Sequence, residues 1–425
     1  MISTTPFWVE ERPPDPGLAT AMDLPRSADV VVVGSGVTGL TAARRLLGSG
    51  RSVAVIDADP IGGSASRVSG GMIIHGLKIS PEAAIAGWGD RLGREMWQAS
   101  LDSVDLVERI VAEDGIDCEY ERTGAAELGF NERDLARFRA EQAWLGDRVG
   151  FTTEVYGPDR IHEVVGSSRF VGAQVEAFSA GLQPAKYALG LAESVARAGG
   201  VLIEGTAVTG IERSTGGFDV TTERGVVRAG EVLLATNGYT GGLQAPLQRR
   251  IVPIGSYIVV TEPLPDETAR RLVPGRRMLW TSRRFLNYFR LTADNRLMLG
   301  GRQNLSPDLD LQESARLLRA TVEGFYPELA WVRITHTWTG RLGVTFDLLP
   351  HIGRFDGVWH ALGYGGHGMG IGTYIGHEAA GLMNGELDHS PFAEIPFPTR
   401  WFYRRRAWFL RPAATLYRFL DRIGR

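Results

Sequence analysis

The chain has 425 residues and a formal net charge of -3, with 44% hydrophobic and 22% charged residues. This length exceeds what one hydrophobic core usually serves, so we expect two domains, and the near-neutral charge argues against nucleic acid as the main partner. The single cysteine, Cys118, excludes an intrachain disulfide and a cysteine-rich metal site, and no metal is expected.

The first 27 residues are proline-rich and show no periodicity, which predicts an arm that packs extended over a domain. Phe7 and Trp8 are its candidate anchors. The arm lacks a basic start followed by an apolar run, so it does not predict a secretory signal. No stretch of the chain is apolar and long enough to cross a bilayer. Together with the lone cysteine, these features predict a cytoplasmic protein.

A strand–helix–strand unit follows the arm. Val30 to Val33 form a β-branched run, TGLTAARRLLGSG has helical spacing, and SVAVID from Ser52 to Asp57 is the next buried strand. Gly34, Gly36 and Gly39 have the GxGxxG spacing, which permits a tight turn, backbone approach to a pyrophosphate and close helix–strand packing. Asp57 follows 23 residues after Gly34 and can accept hydrogen bonds from a ribose hydroxyl. The unit predicts dinucleotide binding.

Helices and strands alternate through the rest of the chain. The pattern is mostly helical from Pro81 to Arg148 and again from Pro184 to Ala198. Strands are predicted in VLIEGTAVTGIE, in FDVTTERGVVRAGEVLLATNGY and repeatedly between residues 251 and 305. A helix from Glu313 to Phe325 then precedes a glycine-rich stretch that ends near Gly385. A chain that leaves a nucleotide-binding unit and returns to it predicts interleaved domains, with the site between them.

Several motifs, in their order along the chain, point to a family. They are the GxGxxG turn, SASRVSGG, LQPAKYALGLAESV, VLLATNGYT, YIVVTEPL, NYFRLTADNRLMLGGR, TFDLLPHIGR and GYGGHGMG. From about residue 25 to 385 the chain resembles the D-amino-acid-oxidase-like superfamily of FAD-dependent oxidoreductases, especially its glycine/sarcosine oxidase and γ-glutamylputrescine oxidase branches. A nicotinamide-dependent dehydrogenase, the competing interpretation, needs neither SASRVSGG nor GYGGHGMG.

The resemblance implies an α/β fold in which a Rossmann-like FAD-binding domain is interleaved with an α+β substrate domain built on a mixed β-sheet. We expect the FAD-binding domain to comprise residues 28–80, 181–250 and 336–385. The substrate domain would comprise residues 81–180 and 251–335. The N-terminal arm (1–27) and a basic, aromatic tail (386–425) lie outside both.

The resemblance also implies a set of cofactor-binding residues. Along the pyrophosphate and flavin it places Ser64, Ser66, Gly70, Gly71 and Met72. The fingerprint glycines, Asp57 at the ribose and the adjacent Ala58 also belong to the expected cofactor-binding set. Val208 would meet the adenine, and Ala235, Thr236, Asn237 and Gly238 would follow the ribose side. Gly366, His367, Gly368 and Met369 would border the isoalloxazine, where a backbone N–H beside flavin O2 stabilises charge on the reduced ring.

We expect FAD to be bound non-covalently. Some related enzymes attach flavin to a cysteine within the segment that matches THTWTGRLGVTFD, and Gly340 stands at that position here. Cys118 is distant in sequence and is interpreted as a small buried residue. A histidyl link through His75 is a weaker alternative.

The carboxylate clamp of the amino-acid-oxidising relatives is altered in this sequence. Arg341 stands one residue earlier than the arginine of their Gly-x-Arg-Pro motif, and a one-residue shift on a strand turns the side chain to the opposite face. Two further carboxylate-binding positions correspond to His75 and Gly370. The preferred substrate is therefore a small amine, such as a polyamine derivative, with glycine, sarcosine or a D-amino acid as the alternative. If Arg341 pointed at the substrate face, the order would reverse.

Aromatic and histidine side chains complete the candidate catalytic set. Tyr257, Tyr288 and Trp338 are candidate pocket aromatics because each lies on a predicted strand of the substrate sheet or beside the glycine loop, although aromatics on strands are usually core. His75 and His367 are candidates beside the flavin, with structural roles as the alternative. Arg341 is the remaining candidate.

The predicted chemistry is oxidation of a C–N bond by hydride transfer to FAD, which gives an imine that hydrolyses. The acceptor that reoxidises the flavin is either oxygen or an electron-acceptor protein. A flavoprotein without amine turnover is a further alternative, and the oligomeric state stays open.

The tail from Arg400 to Arg425 is basic and rich in aromatics. One interpretation places Trp401, Phe402, Trp408, Phe409, Leu410, Tyr417 and Phe419 in an anionic membrane surface, at the inner face of the cytoplasmic membrane. The other is a helical arm that packs on the body or on a second subunit. Pro412 interrupts a continuous helix, which weakens the membrane interpretation.

Overall fold

A computed structural model describes residues 2–12, 18, 20–302, 305–306, 308–403 and 407–422, without the side chains of residues 411, 418, 419, 421 and 422. The predictions for the prolines at 13, 14 and 16 and for the Phe419 side chain lie outside the described part.

The helices are given in chain order. They are α1 (Phe7–Glu11), α2 (Val37–Gly48), α3 (Ser64–Val68), α4 (Pro81–Trp88), α5 (Asp90–Asp114), α6 (Glu132–Val149), α7 (Pro184–Arg197), α8 (Ala245–Gln248), α9 (Asp266–Leu272), α10 (Leu311–Phe325), α11 (Thr373–Asn384) and α12 (Leu410–Arg422). A π-helical turn, Gly368–Gly372, leads directly into α11. Short 3-10 turns are Ile161–Glu163, Asn237–Tyr239, Pro274–Arg276 and Pro327–Leu329.

The strands are also numbered in chain order. They are β1 (Ser27–Val33), β2 (Val53–Ile56), β3 (Met72–Ile73), β4 (Ala125–Gly129), β5 (Glu154–Tyr156), β6 (Gly172–Glu176), β7 (Ala180–Gly181), β8 (Val201–Ile203), β9 (Val208–Ser214), β10 (Gly217–Thr222), β11 (Gly225–Leu234), β12 (Val252–Thr261), β13 (Met278–Thr281), β14 (Asn287–Leu291), β15 (Leu297–Gly301), β16 (Ile334–Val344), β17 (His351–Phe355) and β18 (Val358–Leu362).

The first sheet carries the nucleotide-binding unit. Its order is β17-β18-β11-β1-β2-β8, and β9 and β10 form a hairpin beside β11. The pairs from β18 to β8 are parallel, so the carboxyl ends of β1, β2 and β11 meet at one edge. Val30 to Val33 are buried because helices and the β9–β10 hairpin cover both faces of β1. The predicted strand–helix–strand unit is present.

The second sheet is mixed, with the order β16-β12-β15-β14-β13-β4-β6-β5. Its pairs are antiparallel except for β13 with β4. One face packs on α10 through a core that includes Phe289, Leu318 and Phe325. The predicted fold class, α/β with a mixed second sheet, is confirmed.

The domain boundaries fall differently from the predicted ones at two places. Strand β16 pairs with β12 in the second sheet, so residues 336–344 extend the substrate side rather than the cofactor side. Helices α4 and α5 contribute Ala84, Met96 and Val107 to the core of the first sheet. Their hydrophobic faces therefore complete the cofactor-binding side, although residues 81–114 were assigned to the substrate domain.

Both termini pack on the body. Phe7 and Trp8 are 3% and 0% exposed, as the anchor prediction requires. In the tail, Tyr403, Leu410 and Ala414 are buried against Val252 and Ile254, while Trp401 and Trp408 remain 88% and 64% exposed. Within the described residues, no helix is both long and apolar enough to span a membrane.

Candidate active site

The glycine turn after β1 has the close approaches that its spacing predicts. Gly34 has φ +105°, and a Cβ there would lie 2.9 Å from the Ala235 carbonyl oxygen. A Cβ on Gly39 would overlap the carbonyl oxygen of Gly34. Gly36 directly precedes α2, so the free N–H groups of the first helical turn point toward the end of β1. These features form an anion-binding turn.

Asp57 lies at the end of β2, beside this turn. Its Oδ2 accepts hydrogen bonds from the backbone N–H and the hydroxyl of Ser35, at 2.6 and 2.7 Å, and its Oδ1 accepts one from the Asp59 N–H at 2.9 Å. Both lone pairs of Oδ2 are thus used, but Oδ1 has a second lone pair and can accept from another donor. The neighbouring Ala58 is exposed.

Helix α3 and the loop after it lie against the glycine turn. The Ser66 hydroxyl accepts a hydrogen bond from the Val37 N–H at 3.0 Å, and Ser64, with φ 54°, donates to Asp59 at 2.8 Å. Gly70 and Gly71 have no room for a side chain, because a Cβ would lie 2.9 Å from Tyr288 Cε2 or overlap the Leu182 carbonyl oxygen, respectively.

Asn237 joins three segments of the site. It follows β11 with φ 38°, and its Oδ1 accepts a hydrogen bond from the Gly363 N–H at 2.9 Å. A Cβ on Gly343 would overlap that same oxygen, so β16 passes in direct contact with Asn237. The end of β11, the GYGGHGMG loop and β16 are thereby held together.

A cavity of about 620 Å³ lies between these segments and the second sheet. Of the predicted cofactor residues, those that line it are Ser66, Gly70, Gly71, Met72, Asn237, Gly340, Gly366, His367, Gly368 and Met369. The others do not line it: Gly34, Gly36, Gly39, Asp57, Ala58, Ser64, Val208, Ala235, Thr236 and Gly238. The predicted cofactor residues therefore fall into two groups, one around the glycine turn and one in the cavity wall.

Of the three predicted pocket aromatics, only Tyr288 lines the cavity. Its hydroxyl lies 3.1 Å from the Ser256 hydroxyl, and burial raises its pKa. The prediction that Tyr257 is a pocket residue is wrong. Successive residues of a strand face opposite sides of the sheet. Ser256 and Ile258 face the cavity, so Tyr257 points into the core on the other side.

Trp338 does not line the cavity either. It is buried under the loop after α3, where its Nε1 donates a hydrogen bond to the Val68 carbonyl at 2.7 Å. Trp8 makes the equivalent bond to the Ser69 carbonyl at 2.9 Å, and the two indole rings meet edge to face. The pair therefore supports the cavity wall from behind.

His75 lies in the cavity wall within an aromatic cluster. Its ring is 4.6 Å from that of Phe151 and 5.4 Å from that of Trp97, and Nδ1 lies 3.6 Å from Glu176 Oε1. Burial acts to raise the pKa of the Glu176 carboxyl, but the adjacent His75 and the hydrogen bond from the Ser179 N–H outweigh it, and the pKa is lowered. Glu176 therefore remains ionised, and the Ser179 hydroxyl, 3.2 Å from His75 Nδ1, holds the imidazole.

His367 lies in the GYGGHGMG loop and is held neutral. Burial, together with the nearby positive charges of Lys78 and Arg302, lowers its pKa well below the usual value. Its Nδ1 is buried and has no hydrogen-bond partner within the described protein. A neutral ring with an unused nitrogen suits contact with a bound molecule.

Arg341 lies at the rim of the cavity. Its side chain is 50% exposed, Nη2 is 4.0 Å from Asp308 Oδ1, and the guanidinium lies 5.9 Å from the Tyr239 ring centroid. Its neighbour Gly340 faces inward, where a Cβ would lie 3.2 Å from Val68. The predicted change of face leaves Arg341 at the cavity mouth rather than over its floor.

Lys78 and Arg302 are cations of the cavity wall that were not among the sequence-based candidates, and Arg137, Arg283 and Arg284 line it as well. Lys78 follows His75 in the loop after β3, and Arg302 directly follows β15. Burial, and then the charge of Arg302, lower the pKa of Lys78 to about 7, and burial also lowers the pKa of Arg302. The sequence does single out Lys78. The arginine-rich chain has only one other lysine, Lys186, and Lys78 stands between two apolar residues, Leu77 and Ile79.

Comparisons with known proteins agree with this geometry. A family model described as FAD dependent oxidoreductase (DAO) matches residues 29–382. The chain is 33% identical to a "Probable oxidoreductase OrdL" of Rhizobium meliloti, covering 98% of this chain and 97% of the relative. It is 31% identical to the gamma-glutamylputrescine oxidoreductase of Escherichia coli, with 94% of each chain covered. A glycine oxidase structure from Geobacillus kaustophilus superposes with a TM-score of 0.77 at 20% identity, covering 89% of this chain and 99% of that one.

Proposed function

The chain belongs to the DAO family of FAD-dependent oxidoreductases, and on that basis we propose that it oxidises the C–N bond of a small, polyamine-derived amine. The observation that carries the proposal is the single cavity wall shared by the GYGGHGMG loop, the loop after α3 and the mixed sheet. A substrate bound in this cavity would lie between the cofactor-binding side and the second sheet. The relative in Escherichia coli is named for γ-glutamylputrescine, an amine of this kind.

The residues present fit FAD. The turn formed by Gly34, Gly36 and Gly39 suits the pyrophosphate because a Cβ at any of these positions would meet neighbouring protein atoms. Asp57 would accept from a ribose hydroxyl, with Val208, Ala235 and Thr236 along the adenosine. Ala58 and Ser64 would complete the pyrophosphate side. When bound, the flavin supplies the hydride acceptor.

The flavin end of the cofactor would contact the cavity residues. Gly70, Gly71 and Met72 would lie on one side of the ring and Gly366 to Met369 on the other. Ser66 would reach the pyrophosphate, since it already binds the N–H of Val37 at the start of α2. Gly70 lies so close to Tyr288 that a side chain has no room there. The bare backbone of this loop would therefore be able to contact a flat ring.

The chain's own residues would orient the amine and exclude water. Tyr288 and Ser256 present hydroxyl groups from the sheet, and His367 presents an uncharged imidazole. His75, held by the Ser179 hydroxyl, would close the opposite wall. Because hydride transfer from a neutral amine needs little acid–base assistance, positioning is the main contribution of these groups.

We further propose that FAD is bound without a covalent link. Gly340 offers no nucleophile, and burial raises the pKa of the Cys118 thiol to about 12, which leaves no thiolate at neutral pH. Cys118 also belongs to the core of the first sheet rather than to the cavity. Oxygen or an electron-acceptor protein would reoxidise the cofactor.

The tail supports a second, independent proposal for peripheral membrane contact on the cytoplasmic side. Trp401 and Trp408 are exposed, whereas Phe402, Tyr403 and Phe409 pack around Phe346. The exposed indoles would be the contact residues. Sedimentation with anionic liposomes that is unchanged in a Trp401→Ser/Trp408→Ser variant would contradict it.

Anaerobic mixing with amines tests the proposed oxidation. The purified protein should be yellow, and γ-glutamylputrescine or putrescine should bleach the flavin absorbance in a stopped-flow instrument. Reduction by glycine, sarcosine or D-amino acids alone would favour the amino-acid alternative. A protein that binds FAD but is bleached by no amine would contradict amine turnover.

A further inference from the structure

Resting on the proposed amine oxidation, we propose that Lys78 and Arg302 form an anion-binding site for a carboxylate group of the substrate. The two side chains come from separate elements, the loop after β3 and the end of β15. Both reach Gly366: a Cβ placed there would lie 3.8 Å from Arg302 Nη2 and 3.9 Å from Lys78 Cε. The site is therefore a gap between two cations beside the GYGGHGMG loop.

The pair has no acidic partner in the described structure. The carboxylates of the cavity wall are Glu127 and Glu141, and both are bound to Arg137, at 2.6 and 3.2 Å. No ion pair or hydrogen bond involves Lys78 or Arg302 within the described residues. The residues at 303, 304 and 307, next to Arg302, are glutamine, asparagine and proline, which carry no negative charge.

Two enclosed cations without a counter-ion are unfavourable unless an anion joins them. Burial disfavours the charged ammonium and lowers the pKa of Lys78 to about 7. A bound anion would reverse it by favouring the ammonium form. The oxidised isoalloxazine ring is neutral, so it leaves both charges uncompensated in the resting protein. A substrate carboxylate supplies the missing charge.

The chemistry around the pair suits a carboxylate. Arg302 offers a planar fork of N–H donors, and Lys78 adds a compact charge. The hydroxyls of Tyr288 and Ser256 lie on the adjacent strands, where Tyr288 pairs with Gly300 and Ser256 with Gly340. Because one of these hydroxyls donates to the other at 3.1 Å, the second hydroxyl remains, together with the two cations of the same cavity wall, to donate to a carboxylate.

This assignment narrows the substrate class. Because Arg341 lies at the rim, it does not supply the carboxylate clamp of the amino-acid-oxidising relatives, and its displacement favoured an amine-type substrate. At Gly370 a longer side chain has no space, because a Cβ would lie 2.8 Å from the Ser103 hydroxyl. Lys78 and Arg302 supply the cations from other positions. The substrate is then an amine that also carries a carboxylate, as α-amino acids and γ-glutamylated polyamines do.

A binding experiment on the FAD-loaded protein tests the site without turnover. Acetate should perturb the flavin absorbance, and acetamide, its uncharged isostere, should not. Lys78→Met and Arg302→Met should each weaken acetate binding about 10- to 100-fold, the size expected for losing a charge-assisted hydrogen bond. Lys186→Met and Arg316→Met are the matched controls, because those cations pair with Glu119 and Glu313 outside the cavity. Equal acetate affinity in all five proteins, or none in the wild type, would overturn the assignment.

Lysine NMR provides a second readout. With ε-13C-lysine the chain gives two side-chain signals, because Lys78 and Lys186 are its only lysines. The Lys78 signal, identified by its loss in Lys78→Met, should titrate at a higher pH when acetate is present. A signal that titrates identically with and without acetate would contradict the site.

Matched substrates separate this site from the proposed function. Each pair differs by a carboxylate: sarcosine with dimethylamine, and γ-glutamylputrescine with γ-aminobutyrylputrescine. The two Met variants should raise KM for the carboxylate member of whichever pair is oxidised and leave the other member unchanged. Equal losses for both members, with a lowered flavin midpoint potential, would show that the cations serve the reduced flavin and overturn the proposal. If no amine reduced the flavin, the proposed function would fail while acetate binding still reported on the site.

Discussion

Lys78→Met should stabilise the flavin-free protein at pH 6, because the folded state then no longer encloses a charged ammonium group. Burial lowers the pKa of this group from 10.5 to about 7. Below pH 7 the lysine is charged in both the folded and the unfolded chain, so the folded state bears the whole cost. Between pH 7 and 10.5 the unfolded chain binds more protons, so the stability of the wild type rises with pH.

The size of the effect follows from the two pKa values. At pH 6 the difference corresponds to about 5 kcal/mol, and at pH 9.5 roughly a third of that remains. Methionine has nearly the same length and volume, so repacking adds little. The gain in the free energy of unfolding from Lys78→Met should therefore fall by about 3 kcal/mol between these pH values.

Urea denaturation at pH 6 and pH 9.5 measures this difference, with flavin removed because bound FAD adds its own free energy. Lys186→Met is the control, because its pKa shift has the opposite sign. The hydrogen bond with Glu119 is the main cause that raises the pKa of Lys186. Charged Lys186 therefore stabilises the folded state at both pH values, and its loss does not stabilise the protein. A Lys78→Met variant that is no more stable at pH 6, or equally more stable at both pH values, would refute the reasoning.

Three further outcomes follow from the fold and the site. Gly39→Ala should abolish FAD binding, measured as the ratio of flavin to protein absorbance, because its Cβ would overlap the Gly34 carbonyl oxygen; a yellow variant would contradict the assigned turn. Tyr257→Phe should cost about 1–3 kcal/mol of stability, because the hydroxyl makes two hydrogen bonds to backbone groups, and should leave KM unchanged; a raised KM would return Tyr257 to the pocket. Because burial raises its pKa to about 12, Cys118 should react with a thiol reagent only after unfolding, and acid precipitation should release all of the flavin; retained flavin would reveal a covalent link.

The nucleotide-binding unit was predictable because its determinants are local. Gly34 and Gly39 meet within six residues, and the strands on either side are short β-branched runs. Strands β4 to β6 were missed, because β4 stands between two long amphipathic helices and pairs with β13, about 150 residues later. Pairing over such a distance leaves no local periodicity to detect.

The candidate site shows the same limit. Strand alternation separates Tyr257 from Ser256, but the sequence does not say which face of β12 meets the cavity. Trp338 lies on the same face of β16 as the cavity-lining Gly340 and Leu342, but the end of α3 at Val68 covers it. Lys78 and Arg302 lie more than 200 residues apart, and only the fold shows that they share a gap without an acid.

An anaerobic single turnover with product analysis tests the central claim most directly. The FAD-loaded protein is mixed with γ-glutamylputrescine, with sarcosine and with a D-amino acid, and the reduced flavin and released carbonyl compound are quantified together. Oxidation of the C–N bond predicts one carbonyl product for each flavin reduced with at least one of these compounds. Flavin that stays oxidised with all of them, or is reduced without any carbonyl product, would contradict the assignment of this cavity to amine oxidation.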